Sequence, residues 1–194
     1  MKKNTDVKVA LCGEIRVGKD TVSEYLESKY GAVPFAFGDE LKKAFHYLYP
    51  WIPKLPKPHK AYQLFGQLMR YVHGQDYWVN LCLDNVRYVK SVAENYNTTG
   101  DEINFIPMIT DLRQPNELEN LRLEGYTIIR VECPLEIRIE RMKAEGDDFD
   151  ESVFKFETEN YVKDFDVDYV ITNDGTLDEL YEQVESIMSV LLEK

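Results

Sequence analysis

The strongest constraint on this chain is a glycine-containing loop at residues 13–21. Two glycines are separated by four residues, and Lys19 directly follows the second of them. Loops of this pattern usually carry serine or threonine next, but here that position holds Asp20 and the hydroxyl follows at Thr21. Such a loop requires a strand before it and a helix after it, so it constrains the fold of the whole N-terminal part of the chain.

The context of this loop predicts a binding site for phosphate groups. An apolar run at 7–12 predicts a buried strand before the loop, and residues 20–30 predict a helix after it. Gly13 and Gly18 let the backbone curl so that its amide groups point at an anion. The helix N-terminus adds a partial positive charge and Lys19 adds a full one. The alternative is a glycine-containing turn without a ligand, but the flanking strand and helix favour a nucleotide site.

Asp20 has two interpretations. It coordinates Mg²⁺ directly or through water in place of the usual hydroxyl. Alternatively, it only stabilises the start of the helix, an effect worth roughly 0.3–1 kcal/mol.

The acidic composition argues against several classes of partner. The chain has 194 residues, 44% of them hydrophobic, and a net charge of −12. This length and composition predict one globular domain. Nucleic acids and anionic membranes are not expected as partners, because both would be repelled and no basic run is present.

The cysteines predict a reducing, cytoplasmic environment. Cys12, Cys82 and Cys133 are far apart and show no paired spacing, so neither a disulfide framework nor a zinc site is expected. No apolar run reaches transmembrane length, and the apolar stretch near the N-terminus is too short for a secretory signal.

Five strand-like runs alternate with helical runs, which predicts an α/β protein with a parallel sheet covered on both faces. The predicted strands are 7–12, 33–37, 104–110, 126–132 and 168–172. The predicted helices are 20–30, 39–49, 61–72, 76–95, 115–124, 134–145, 151–164 and 176–193. Asp39 and Asp76 are predicted helix N-caps, and residues 176–179 a capping box. The proline-rich residues 50–60 predict a stiff loop inside a helical insertion.

Polar side chains that follow the predicted strands are candidate ligands, because open α/β sheets bind ligands at the carboxyl ends of their strands. Asp111 could hold Mg²⁺ through water, and Arg113 could clamp a phosphate. An alternative of equal weight is that residues 111–113 form a turn that caps the next helix, with a surface ion pair. Asp39 is either a helix cap or a ligand contact.

Three arginines on predicted helices have both structural and functional interpretations. Arg138 and Arg141 share one helix face, where a common anionic ligand would relieve their repulsion. The nearby carboxylates of Glu136, Glu140 and Glu145 would relieve it as well, and the sequence slightly favours this ion-paired helix. For Arg70 the default is a solvent-facing side chain.

Several motifs along the chain coincide with one family. The chain resembles a P-loop nucleoside monophosphate kinase, most closely the deoxynucleoside monophosphate kinases of bacteriophage type. Dephospho-coenzyme A kinase and phosphomevalonate kinase share parts of the pattern. The matching segments are 18–22, 35–42, 63–66, 74–80, 109–117 and 170–176.

The resemblance implies one kinase domain over 1–194 with a five-stranded parallel sheet of order 2-3-1-4-5, a helical acceptor-binding region at 39–95 and a lid at 138–160. It implies ATP and Mg²⁺, with catalytic roles for Lys19, Arg113, Arg138 and Arg141. The implied ATP ligands are Gly13, Arg16, Gly18, Lys19, Asp20, Thr21, Asn173 and Gly175. The implied acceptor ligands are Asp39, Lys42, Arg70, Trp78, Asp111 and Arg113, and the implied metal ligands are Asp20 and, through water, Asp111.

One segment departs from the family pattern. Related kinases often carry a His-x-Ser-Glu element in the lid, whereas the nearest run here is 156–159, and residues 147–150 are strongly acidic. The lid is therefore the part of the site whose sequence matches the family pattern least well.

The expected reaction is transfer of the ATP γ-phosphoryl group to a (deoxy)nucleoside monophosphate. Two alternatives stay open: a kinase for another small phosphorylated acceptor, and a non-catalytic nucleotide-binding regulator. The sequence also leaves a homodimer open.

Overall fold

The computed structural model describes residues 6–97, 104–144 and 157–193. The strands in these ranges are β1 (Val9–Cys12), β2 (Ala32–Phe35), β3 (Ile106–Leu112), β4 (Thr127–Glu132) and β5 (Tyr169–Thr172). The helices are α1 (Lys19–Tyr30), α2 (Phe37–Leu48), α3 (His59–His73), α4 (Tyr77–Asn97), α5 (Pro115–Leu123), α6 (Leu135–Ala144), α7 (Glu157–Asp164) and α8 (Leu177–Glu193). Each predicted strand and helix has a counterpart, with most ends displaced by one or two residues, although the first part of the helix predicted at 151–164 lies outside the described residues.

The strands form one five-stranded sheet of order β2-β3-β1-β4-β5, which confirms the predicted order. β1 pairs in parallel with both β3 and β4, so it lies at the centre. In that register Cys12, the last residue of β1, lies beside Leu112 of β3 and Arg130 of β4. The loop that follows β1 therefore starts at the carboxyl edge of the sheet, between two neighbouring strands.

The chain divides into two compact units, and the sheet belongs to the first of them, Met1–Pro34 with Asn104–Lys194. Its core is built by strand residues that are fully buried, such as Leu11, Met108 and Ile129, and by Met188 from α8. Strands this apolar on both faces are typical of a parallel sheet covered by helices. α1 and α8 also join through a stacked pair, Tyr25 and Tyr181, whose ring centroids are 3.9 Å apart.

The second unit, Phe35–Ile103, is helical in its described part and has its own core. Phe45, Phe65 and Trp78 are buried together, and their rings meet edge-on or tilted at 5.6–5.9 Å. The Trp78 indole donates to the Gly66 carbonyl at 3.2 Å, so its polar atom is satisfied inside this core. The predicted assignment of acceptor binding to 39–95 stays a prediction, as does that of a single kinase domain.

Two predicted helix starts have different outcomes. Asp39 as an N-cap is wrong, because α2 begins at Phe37 and Asp39 lies within its first turn. There the Asp39 carboxylate accepts from Lys42 at 2.7 Å. The capping box at 176–179 is confirmed: Thr176 N donates to Glu179 Oε2 at 2.7 Å, and Glu179 N donates to Thr176 Oγ1 at 3.3 Å.

Among the helices of the described ranges, none is both long and apolar enough to cross a bilayer. The predicted lid at 138–160 is described only in part, since residues 145–156 lie outside the described ranges.

Candidate active site

The glycine loop lies tightly against the end of β4. Gly13 has φ +148°, and a Cβ built on it would lie 2.4 Å from the Val131 carbonyl oxygen and 2.9 Å from Val17 Cγ2. Gly18 has φ +98°, caps α1 and would place a Cβ 2.1 Å from Asn173 Nδ2. Both glycines are therefore required by backbone conformation and by close approach.

Lys19 spans the loop from the first position of α1. Its ammonium donates to the Gly13 carbonyl at 2.7 Å and to the Glu14 carbonyl at 2.8 Å. The charge is thus held above the start of the loop, at the N-terminus of a helix whose first amides carry partial positive charge. This combination is suited to hold an anion with several oxygens.

Asn173 joins three parts of the site. It directly follows β5 and is 4% exposed. Its Nδ2 donates to the Val17 carbonyl at 2.9 Å, and its backbone N donates to the Glu132 carbonyl at 2.8 Å. Arg141 Nη2 lies 3.2 Å from its carbonyl oxygen and 3.3 Å from Oδ1. The side chain predicted to contact ATP therefore holds the phosphate loop and Arg141 in place, and its direct ATP contact stays a prediction.

Arg138 and Arg141 of α6 are both directed towards the loop region. Arg138, 3% exposed, donates from Nη1 to the Ile15 carbonyl at 3.1 Å and pairs with Glu14 at 3.3 Å. The partner of Arg138 that the structure shows is thus a loop carboxylate 124 residues away. Arg141 reaches the loop through Asn173.

The Glu14 carboxylate pairs with a second cationic side chain. Its Oε1 lies 3.2 Å from Lys163 Nζ on α7, in addition to its pair with Arg138. The sequence prediction missed both Glu14 and Lys163 as site residues. Position 14 is variable in the loop pattern, and Lys163 has no motif, so neither carried a signal in the sequence.

Arg113 and Asp111 lie at the end of β3, beside β1. The register places Leu112 against Cys12, next to the first residue of the loop. The Arg113 and Gln114 amides both donate to Glu117 Oε2, at 2.8 and 2.9 Å, in a capping box that starts α5. The cap of α5 is therefore made by Gln114 and Glu117, whereas Asp111 and Leu112 still belong to β3, so the predicted capping turn at 111–113 is wrong. The roles of the Arg113 and Asp111 side chains towards a ligand stay predictions.

The remaining predicted ATP ligands lie along the loop and after β5. Arg16 is exposed and has φ 62°, a left-handed conformation that is uncommon for a residue with a side chain. Asp20 is exposed in the first turn of α1, with Thr21 half-buried beside it. Gly175 precedes α8 in the segment that the capping box orders.

The predicted Mg²⁺ ligands fit an ion that keeps most of its water. Across 6–97, 104–144 and 157–193, no group of three or more His, Cys, Asp or Glu residues could hold a metal. Asp20 is exposed and Asp111 half-buried, and both offer the hard oxygen donors that Mg²⁺ prefers. One or two carboxylates together with substrate phosphates suffice for Mg²⁺, so the residues present fit an ion that arrives with the nucleotide.

A cavity of about 420 Å³ opens beside the loop. Gly13 and Glu14 line one side of it, and residues from the ends of β4 and β5 and from α7 line the rest. Its lining carries charges of both signs: Glu14, Arg130, Glu132, Lys163 and Asp174. The loop and this cavity thus form one continuous site in the first unit.

Cys12 ends β1 directly before the loop and is fully buried. Burial raises the pKa of its thiol from 9.0 to about 12, against the opposing effect of nearby Arg130 and Lys19. A folded-state pKa above the unfolded value stabilises the fold fully below about pH 9, and this contribution is lost as pH rises towards 12. The thiol is therefore neutral and shielded at physiological pH.

We expect Cys12 to resist iodoacetamide at pH 8 in the folded protein and to react once denaturant unfolds it. Mass spectrometry of the peptide that contains it measures this protection. Rapid labelling of Cys12 without denaturant would contradict the burial.

The helical unit contains a second, larger cavity of about 600 Å³. One face of α2 supplies Asp39, Lys42, Lys43, His46 and Tyr47, α3 supplies Tyr62, and the proline-rich loop supplies Lys54, Leu55 and Lys57. Four lysines against one carboxylate make this lining strongly basic in a chain with a net charge of −12. Lys54 and Lys57 were not predicted as site residues, because the lysines are dispersed over 42–57 and form no run.

Four of the predicted acceptor residues do not line this cavity: Asp111 and Arg113, which belong to the first unit, and Arg70 and Trp78. Arg70 is half-buried in the last turn of α3. Trp78 is 2% exposed and packs in the helical core. Their roles towards an acceptor stay predictions.

The parallel sheet of this order, with a glycine-lysine loop between its central strand and α1, defines the class of P-loop kinase-like α/β proteins. The sequence model of the deoxynucleotide monophosphate kinase family matches residues 59–184, and the chain belongs to this family. The deoxynucleotide monophosphate kinase of Escherichia phage RB69 is 36% identical over 116 residues. That match covers 59% of this chain and 41% of the phage protein, so the chain is aligned to less than half of this relative.

Solved structures resemble the fold over nearly the whole chain. The gluconokinase of Sinorhizobium meliloti 1021 has a TM-score of 0.54 at 14% identity and covers 96% of this chain and 94% of its own. The tunicamycin resistance protein of Deinococcus radiodurans has a TM-score of 0.55 at 16% identity, over 93% and 95% of the two chains. The shikimate kinase of Bacteroides thetaiotaomicron has a TM-score of 0.53 at 13% identity, over 95% and 98%. At these identities the likeness shows the fold alone.

Proposed function

We propose that this protein transfers the γ-phosphoryl group of ATP to a deoxynucleoside monophosphate, giving ADP and the diphosphate. The observation that carries the proposal is Lys19, whose ammonium lies over the Gly13 and Glu14 carbonyls at the N-terminus of α1. Membership of the deoxynucleotide monophosphate kinase family supports the same reaction.

In this proposal the first unit binds the donor. The loop amides and Lys19 hold the polyphosphate, and Arg138 and Arg141 neutralise charge that develops during transfer. Arg113 at the end of β3 holds the transferring phosphoryl group. Mg²⁺, held through Asp20 and through water by Asp111, supplies further neutralisation of the phosphate oxygens when bound.

The reaction needs no general base from the protein. A phosphate monoester loses its second proton near pH ~6, so the attacking oxygen is already ionised at neutral pH. What the chain's residues supply is position, charge neutralisation and exclusion of water, the main contributions to phosphoryl transfer. The abundance of Lys and Arg at the site, against the overall negative charge, is consistent with this role.

We assign the acceptor's phosphate to the basic cavity of the helical unit. Lys42, which the family resemblance implies, lies there together with Lys43, Lys54 and Lys57. Lys42 is paired with Asp39 and Lys43 with Glu40, whereas the side-chain ammonium groups of Lys54 and Lys57 make no hydrogen bond or ion pair within the described residues. Tyr47 and Tyr62 offer ring surface for a base in the same cavity.

The test is an assay of ADP release with a panel of ribo- and deoxynucleoside monophosphates, dephospho-coenzyme A and phosphomevalonate. We expect turnover that depends on the acceptor and is fastest with a deoxynucleoside monophosphate. Activity only with dephospho-coenzyme A or phosphomevalonate would show that the acceptor is not a nucleoside monophosphate. ATP binding without turnover on any acceptor would instead favour a regulator.

Lys57→Gln should raise KM for the nucleoside monophosphate about three- to tenfold, the loss expected for one charge-assisted phosphate contact. KM for ATP should not change, because Lys57 is assigned to the acceptor alone. Lys60→Gln is the matched control: it removes a lysine from the first turn of α3 that does not line the cavity. Equal acceptor KM values for the two variants would contradict the assignment.

We further propose that the protein works in the cytoplasm, since Cys12, Cys82 and Cys133 are all free and buried. Light scattering across the working concentration range decides whether it works as a monomer or a homodimer.

A further inference from the structure

Three cationic side chains from three helices converge on residues 13–15 of the phosphate loop. Lys19 of α1 donates to the carbonyls of Gly13 and Glu14. Arg138 of α6 donates to the Ile15 carbonyl and pairs with the Glu14 carboxylate. Lys163 of α7 pairs with the same carboxylate oxygen at 3.2 Å.

The Glu14 carboxylate differs from a surface ion-pair partner in its surroundings. The Arg138 side chain is 4% exposed and the Glu14 side chain 22%, so their charges meet largely out of water. A guanidinium this deeply buried requires nearby negative charge, because its transfer from water is costly. Lys163 is 59% exposed and can turn towards the cavity that it lines together with Glu14.

An ATP polyphosphate is the other anion suited to these cations. Arg138 is one of the residues that the proposed function assigns to the phosphates, and Lys163 lines the cavity beside the loop. Oxygens of a bound polyphosphate and Oε1 of Glu14 would thus compete for the same two side chains, and like charges placed close together repel.

We propose that Glu14 acts as an internal counter-anion of the donor site. Its carboxylate pairs with Arg138 and Lys163 at the phosphate loop while ATP is absent, and the polyphosphate of ATP replaces it as the partner of both cations when ATP binds. The inference rests on the proposed function, since it concerns the same donor site. It adds Lys163 to the donor-binding residues and gives Glu14 a positioning role that weakens ATP binding. Release of the cations is then coupled to arrival of the donor.

Glu14→Gln keeps the shape and a hydrogen-bond acceptor but removes the charge. We expect it to bind ATP about three- to tenfold more tightly by titration calorimetry, and to lower KM for ATP without raising kcat. Glu185→Gln is the matched control, because Glu185 of α8 also pairs with a lysine, Lys29, but does not line this cavity. Its ATP affinity should remain within about twofold of that of the unmodified protein.

Lys163→Gln provides a second measurement that does not disturb a buried group. We expect this variant to bind ATP about threefold more weakly and to retain its thermal stability. Inorganic tripolyphosphate, as a probe of the phosphate contribution alone, should show the same order of affinities for the three variants and the unmodified protein.

A purely structural role for Glu14 predicts a different result: lower thermal stability, with ATP affinity unchanged or reduced. That result, or an unchanged affinity in Lys163→Gln, would overturn the inference. If the unmodified protein binds ATP and phosphorylates an acceptor in the same experiments, the proposed function stands and only the inference fails. If it binds neither ATP nor tripolyphosphate, both fail.

Discussion

Replacing Lys19 with methionine should reduce kcat/KM for ATP by about 10²–10³-fold or more, the loss typical of removing one preorganised electrostatic contact to a transition state. Lys19 is the full positive charge held directly over the loop, with its ammonium 2.7–2.8 Å from the Gly13 and Glu14 carbonyls. Methionine keeps the length and the apolar stem but cannot neutralise a phosphate oxygen. Initial rates of ADP release with saturating acceptor measure the effect.

The control for Lys19 is Lys29→Met, in the last turn of the same helix. Lys29 pairs with Glu185 and Tyr25 rather than with the loop. The Lys29→Met substitution should reduce stability only slightly and leave turnover within about twofold of that of the unmodified protein, because an exposed ion pair contributes little. If Lys19→Met kept more than about a tenth of the activity, the loop would not be the donor site and the kinase proposal would lose its main support.

The sheet order was predictable because the family resemblance implied it, whereas the alternation of strands and helices predicted only that the sheet is parallel. Alternating strands and helices require a parallel sheet with crossover connections. β1 lies at the centre of this sheet, and all four of its residues are buried. Errors were confined to ends, as at Asp39, where aspartate is common both at an N-cap and in the first turn. Composition alone does not distinguish those two positions.

The contacts that assemble the site were much less predictable. The loop itself is a local motif, so its glycines and lysine were visible in the sequence. Asn173 contacts Val17 across 156 residues and Arg138 contacts Glu14 across 124, distances at which spacing carries no information. For Arg138, sequence spacing offered carboxylates on its own helix, whereas the structure shows one on the loop.

Gly13→Ala should reduce the stability of the first unit by more than about 3 kcal/mol and abolish ATP binding, because two independent penalties apply there. The residue has φ +148°, which L-residues with side chains rarely adopt. Its Cβ would also lie 2.4 Å from the Val131 carbonyl oxygen. That oxygen belongs to the backbone of β4, which is paired on both sides with β1 and β5, so it cannot move aside as a side-chain end would.

Gly31→Ala is the comparison variant, because it places alanine at a positive φ without any close approach. Gly31 ends α1 with φ +66°, yet no atom lies within 4 Å of the Cβ that alanine would add. Only the left-handed conformation is then unfavourable, at about 1–2 kcal/mol, and ATP binding should persist. Denaturant melts and ATP titration on both variants measure the difference, which contains the close approach at Gly13 and the conformational cost of φ +148° relative to φ +66°. Equal losses in the two variants would mean that the loop can move away from Val131, and that its position on β4 does not define the donor site.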